Sequence, residues 1–241
     1  MKYYSFEEID ELGETLVRKY IEDKNLKNVW CIDVEGIATD LLGCTIVYAQ
    51  FAEEDPNKSG FLADGDTPLK IYKDNKSQEV VFPADTIVVD LPMKLKRNYA
   101  QERFTIMHEG GHKVMESHTP GLAKAYYESR FDFEYDYNKE DIARIFNTCE
   151  IYANRFAAAV LMPRFLLDKA LKTYNNGEYI SIYGSYLIKA SDKLVIQKIA
   201  NRLGVSYTAL LNRFKSLKMY TPRDAYEFLG QLEIAEEDNY E

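Results

Sequence analysis

Residues 103–112 read Arg103-Phe104-Thr105-Ile106-Met107-His108-Glu109-Gly110-Gly111-His112. Phe104 and Met107, followed by Val114 and Met115, recur as an apolar stripe. The spacing predicts a central, buried helix over about residues 100–117, ending before Pro120. Two histidines at i and i+4 project from one face of such a helix. That spacing lets both imidazoles reach a single tetrahedral Zn²⁺, at about 2.0–2.1 Å each. Glu109 is rotated away from direct ligation but can reach a metal-bound water as a general base.

A buried helix that carries two imidazoles and a carboxylate needs partners for them, and a metal is the economical one. Gly110 and Gly111 each cost a helix roughly 1 kcal/mol relative to alanine. Adjacent glycines there imply that another segment, or a substrate, passes close by.

A hydrolytic zinc needs a third protein ligand and an open position. His118, the third and last histidine, lies six residues past His112 without an HxxGxxH continuation and is a poor third ligand. Glu150, on a long helix expected over 141–161, is the better candidate. Small Ala153, Ala157 and Ala158 would let that helix approach the first one closely. Asn154 shares the face of Glu150 and could accept the free ring N–H of His108 or His112, fixing the tautomer.

With these residues in place, the chain resembles the ImmA/IrrE family of metallopeptidases, whose pattern is RFTxAHExGH followed by ExEANxFAxxLLMP. The resemblance spans roughly residues 33–163 and includes Glu150-x-x-Ala153-Asn154-Arg155-Phe156-Ala157-Ala158 and Leu161-Met162-Pro163. It implies His108, His112 and Glu150 as zinc ligands and Glu109 as catalytic base. Tyr152 departs from the family's second acid and leaves Glu150 as the one carboxylate there. The implied chemistry is zinc-assisted attack of water on a scissile carbonyl, with the oxyanion stabilised by His118 or a tyrosine of the 121–140 segment. The implied substrate is a helix-turn-helix repressor, cut in a regulatory circuit.

Outward from this helix pair, Ser5 and Glu8 form a capping-box pattern opening a helix to about residue 24. A second helix is expected over 33–42, with Gly43 after it. Short β-rich runs at 45–51, 69–72, 80–82 and 86–89 predict a small, antiparallel sheet. The aromatic, acidic stretch 121–140 reads as a loop or lid, and Pro163 fits the first turn of a helix reaching about residue 173. The expected class is α+β, a sheet packed with a gluzincin-like HExxH helix pair. The organisation is a metallopeptidase core over 1–175, a helical C-terminal lobe over 191–232 and an acidic tail over 233–241.

Residues 196–214 have helix-turn-helix texture, with Gly204 at the turn and Ser206 as a cap. Lys193, Lys198, Arg202, Arg213, Lys215 and Lys218 are basic, with no acid among them between 193 and 218. Helix packing, docking of a protein partner and DNA contact are all open to this segment. DNA contact is disfavoured by its few base-reading side chains.

A net charge of −9 and a pI near 5.0 argue against a protein built mainly to neutralise nucleic acid. Cys31, Cys44 and Cys149 lack CxxC spacing and read as reduced thiols. The N-terminus turns acidic where a signal peptide needs an apolar core, and no apolar run nears the roughly 20 residues of a membrane span. A cytoplasmic protein without membrane contact is expected. The rival reading is a non-catalytic regulatory module, stabilised by metal, that binds DNA or a repressor.

Overall fold

Ser5 caps the first helix, α1 (Phe6–Asp23), as its sequence predicts. Its hydroxyl accepts the Glu8 N–H at 3.1 Å, and Glu8 Oε2 accepts the Ser5 N–H at 2.7 Å. Two orphan donors of the helix start are thereby satisfied. Ile9, Gly13, Val17 and Tyr20 form its buried face at helical spacing. The structure, a computed structural model, describes residues 4–52, 58–92, 98–118 and 148–228, and at 116–118 and 148 the backbone alone. The lid expected over 121–140 and the acidic tail lie outside the described residues.

Asp33 caps α2 (Val34–Gly36), accepting the Gly36 N–H at 3.0 Å. The turn continues as a wider π-helical stretch, Ile37–Leu41. Gly43, with φ 69°, then redirects the chain into the sheet, where a side chain would strain the backbone.

Five strands follow: β1 (Thr45–Phe51), β2 (Gly60–Ala63), β3 (Pro68–Lys73), β4 (Lys76–Val81) and β5 (Thr86–Asp90). They lie in the order β2-β5-β1-β3-β4. Asp74 and Asn75, both at positive φ, close the two-residue hairpin between β3 and β4.

The sheet is mixed. Its outer pairings are antiparallel as expected, but the central pair β1–β5 is parallel. A parallel pair needs a long crossover, and the chain through β2, β3 and β4 supplies it. β5 is correspondingly buried along Thr86 to Val89 and reads as a continuous apolar run. Ile87, Val89 and Leu62 face the main core, while Val88, Phe61, Ala63, Leu69 and Ile71 form a smaller cluster.

The helix pair expected around the histidines and Glu150 is present as α3 (Tyr99–His118) and α4 (Thr148–Leu161). Of the long helix expected over 141–161, residues 148–161 are described. After Pro163 come α5 (Arg164–Tyr174), β6 (Ile180–Tyr183), α6 (Ala190–Leu203), α7 (Tyr207–Ser216) and β7 (Tyr220–Arg223). β6 and β7 pair in parallel, a contact the sequence texture did not announce.

Gly204 closes α6 in the left-handed region at φ 69°, and the Ser206 hydroxyl accepts the Ala209 N–H at 3.1 Å to start α7. The two helices and the turn expected between them are therefore present. Its inner face (Ile196, Ile199, Leu203, Leu210, Phe214) enters the same apolar core as α1, α4 and α5.

α4 is held on two sides by glycine. A Cβ on Gly111 would lie 2.8 Å from the Ala153 Cα, and one on Gly13 2.7 Å from the Ala159 Cβ. The expectation that Gly111 admits a neighbouring segment is met by α4. The three helices are also tied by charge: Asp10 on α1 pairs with Arg155 on α4 and, at 2.6 Å, with Arg213 Nη1 on α7. Arg213 is buried, and its Nε donates to the Met162 carbonyl at 3.2 Å. Among the described residues no helix is long and apolar enough to cross a membrane.

Candidate metal centre

His108 and His112 lie one turn apart on α3 and face Glu150 near the start of the described part of α4. The Gly111–Ala153 contact brings the two helices close enough for their side chains to meet. Glu150 Oε2 is 3.2 Å from His108 Nε2, and its Oε1 is 3.1 Å from His112 Nε2. The two Nε2 atoms are 3.1 Å apart, with the rings crossed at 83°. The ligand atoms of all three residues lie within 4.8 Å of one another, a group that could hold a metal ion.

Asn154, one turn beyond Glu150, places its Oδ1 3.0 Å from His108 Nδ1. With the amide oxygen facing the ring, Nδ1 carries the proton and a neutral imidazole presents its lone pair at Nε2. Of the two histidines left open by the sequence, His108 is the one Asn154 orients.

The buried Glu150 Oε2 makes no hydrogen bond of normal geometry, although His108 Nε2 is near it. Burial pushes the Glu150 carboxyl up, but the two imidazoles beside it outweigh that and hold it at about 2. Burial likewise pushes His108 down, and the close Glu150 carboxylate with the charge of Glu109 turns the net shift upward. An ionised carboxylate and two imidazole nitrogens converging in a buried place, one oxygen of the set unsatisfied, match the donor set of a divalent ion of the zinc type.

Glu109 is buried beside this group. Burial raises its carboxyl above the ordinary range, against the opposing pull of His108 and His112. Its carboxylate also accepts the backbone N–H of Leu62 on β2. β2 is an edge strand of the sheet, so the base lies between the paired histidines and that edge. A Cβ on Gly60 would stand 2.5 Å from Glu109 Oε1 and 2.6 Å from Thr105 Cγ2. Glycine at 60 is thus what lets the Glu109 carboxylate lie against β2.

Gly60 and Leu62 are the residues of this site that sequence reading missed. Their signal was weak: four residues, all buried, without alternation. His118 is reached by the backbone of α3, and its side chain lies outside what is described, as do the tyrosines of 121–140.

A His-His-Glu group across two packed helices, with a buried carboxylate next to it, is a donor set and base of the kind metallopeptidases use. Residues 97–215 match the profile of a peptidase family, the IrrE N-terminal-like domain, and this segment is a domain of that family. No curated protein matches the chain. Among solved structures, a Mycobacterium tuberculosis transcriptional regulator is similar, with a TM-score of 0.43 and 14% identity. The match covers 86% of this chain and 55% of that one, so the chain spans about half the regulator's length.

Proposed function

We propose that the chain is a zinc-dependent endopeptidase that cuts a helix-turn-helix repressor in the cytoplasm, within a regulatory circuit. The observation that carries the reading is the convergence of His108, His112 and Glu150 with the buried Glu109 beside them. His108, His112 and Glu150 would hold the ion. Zinc bound there supplies Lewis-acid chemistry, lowering the pKa of water and polarising a carbonyl.

The chain's own residues then divide the work. Glu109 takes a proton from the attacking water on a carboxylate oxygen and passes it to the nitrogen of the leaving amine. A raised carboxyl suits both halves of that exchange. Asn154 keeps the His108 proton on Nδ1, so that Nε2 keeps its lone pair free for the ion. The scissile segment would lie extended along β2, the sheet edge nearest Glu109, where backbone pairing holds a substrate without regard to its sequence. The repressor as substrate is supported by the family alone.

Two variants test separate parts of this arrangement. Asn154→Ala should weaken zinc by about 10–100-fold in a competition titration with a chromophoric chelator, because the ring of His108 loses its anchor. Unchanged affinity would remove Asn154 from the site. Gly60→Ala should retain the metal yet lower cleavage about 100-fold, since the added methyl displaces the Glu109 carboxylate. A Gly60→Ala protein of normal activity would show that Glu109 need not lie against β2.

The direct test uses protein purified without chelator, with metal content measured by mass spectrometry. It is then incubated with a helix-turn-helix repressor encoded beside it. About one zinc per chain and a single chelator-sensitive cut are expected. A protein without divalent ion, or a cut indifferent to chelation, overturns the proposal.

A second reading, DNA contact by α6 and α7, has their turn geometry in its favour. Against it, Arg213 is spent on Asp10 and Met162 inside the protein, and the Arg202 guanidinium lies over the Trp30 ring at 5.1 Å.

A further inference from the structure

Cys31 lies between α1 and α2, away from the histidine pair, and is the exposed one of the three cysteines. Its Sγ is 3.7 Å from the Tyr99 hydroxyl at the start of α3. That hydroxyl lies 3.3 Å from Arg103 Nη1, which also donates to the Ile32 carbonyl at 2.6 Å. Arg103 is only 4% exposed, and its Nε and Nη2 are buried without any hydrogen-bond partner. Buried guanidinium N–H groups normally find an acceptor. One of these unmet donors, Nε, lies near Cys31 beside Gly204: a Cβ on Gly204 would stand 2.9 Å from Cys31 Sγ and 3.3 Å from Arg103 Nε.

We propose that Cys31 is a peroxide-sensitive modification site whose oxidised form is held by the free N–H groups of Arg103. The Cys31 thiolate attacks the terminal oxygen of a hydroperoxide. An S–O bond forms and the O–O bond breaks; the proton of the attacked oxygen passes through solvent to the departing oxygen, which leaves as water or an alcohol, and the sulfenate remains. Sulfur is oxidised by two electrons to the sulfenate, and the peroxide is reduced by the same two.

The new oxygen is an anionic acceptor beside donors that nothing else satisfies, and charge-assisted bonds of this kind are the strong ones. It would join three segments at one point: the α1–α2 connection, α3 through Arg103, and the turn between α6 and α7 at Gly204. Cys44 and Cys149 are poor competitors. Burial pushes the Cys44 thiol to about 11 and raises that of Cys149, leaving little thiolate at either.

The experiment exposes the folded protein to a small excess of hydrogen peroxide with dimedone present, followed by peptide mass spectrometry. The adduct is expected on Cys31 with at least a tenfold higher yield than on Cys44 or Cys149, and is lost in Cys31→Ser. Without dimedone, the oxidised protein should unfold at a higher temperature than the reduced one. That rise should vanish in Cys31→Ser and in Arg103→Lys, which keeps the charge but removes the unmet donors. Even labelling of the three cysteines would overturn the proposal, as would an unfolding temperature indifferent to oxidation. Both readings use the wild-type protein, so a poorly folded variant leaves the test intact, and neither depends on peptidase activity.

Discussion

Glu109→Gln is expected to keep its metal and to lose about 10²–10⁴-fold in the rate of peptide-bond cleavage. Glutamine matches glutamate in shape, and its side-chain oxygen can still accept the Leu62 N–H that Glu109 accepts. The variant therefore changes one property, the ability to receive a proton. Metal content by mass spectrometry should stay at the wild-type level, because Glu109 is not among the residues that converge on the ion's place. A metal-loaded Glu109→Gln protein with full activity would end the peptidase reading. Loss of metal together with activity would show instead that Glu109 helps to hold the ion.

Asp10→Ala is the substitution expected to cost the most stability, about 3–5 kcal/mol. Asp10 pairs with Arg155 and with the buried Arg213, whose remaining contact here is the Met162 carbonyl. Removing the carboxylate leaves a buried guanidinium charge with only the weaker attraction of Glu14 to balance it. Thermal unfolding should show a fall of about 6–20 °C for a chain of this size. Asp10→Asn, which keeps the shape and one acceptor, should lose less. A variant as stable as wild type would mean that water reaches Arg213 freely.

These two predictions mark where sequence was sufficient and where it was not. The histidine spacing, the placement of Glu150 and the small residues facing Gly111 were legible because each depends on helical period, which is a local property. The Ser5 and Ser206 caps and the glycines at 43 and 204 were legible for the same reason. β2 was not, because four buried residues show no alternation and their partner, β5, lies more than twenty residues on. The parallel centre of the sheet escaped for a related cause: strand direction is decided by the crossover, which no single stretch contains.

Arg213 was ambiguous for a different reason. In the sequence it stood in a run of basic residues open to helix packing, partner docking or DNA contact, and its acidic partner was some two hundred residues away. A charge count along the chain cannot see such a partner. Gly60 was invisible until the Glu109 side chain was placed against it.

The link from Asp10 to Arg213 also has a consequence for biosynthesis. Ribosomes add about 5–20 residues each second, so Asp10 emerges roughly 10–40 s before its partner on α7 has been made. Through that interval α1 has neither its full charge complement nor the last two helices of its core. Completion of the histidine-bearing helix pair's surroundings is therefore a late event in synthesis, set by the arrival of α7 rather than of the helix pair itself.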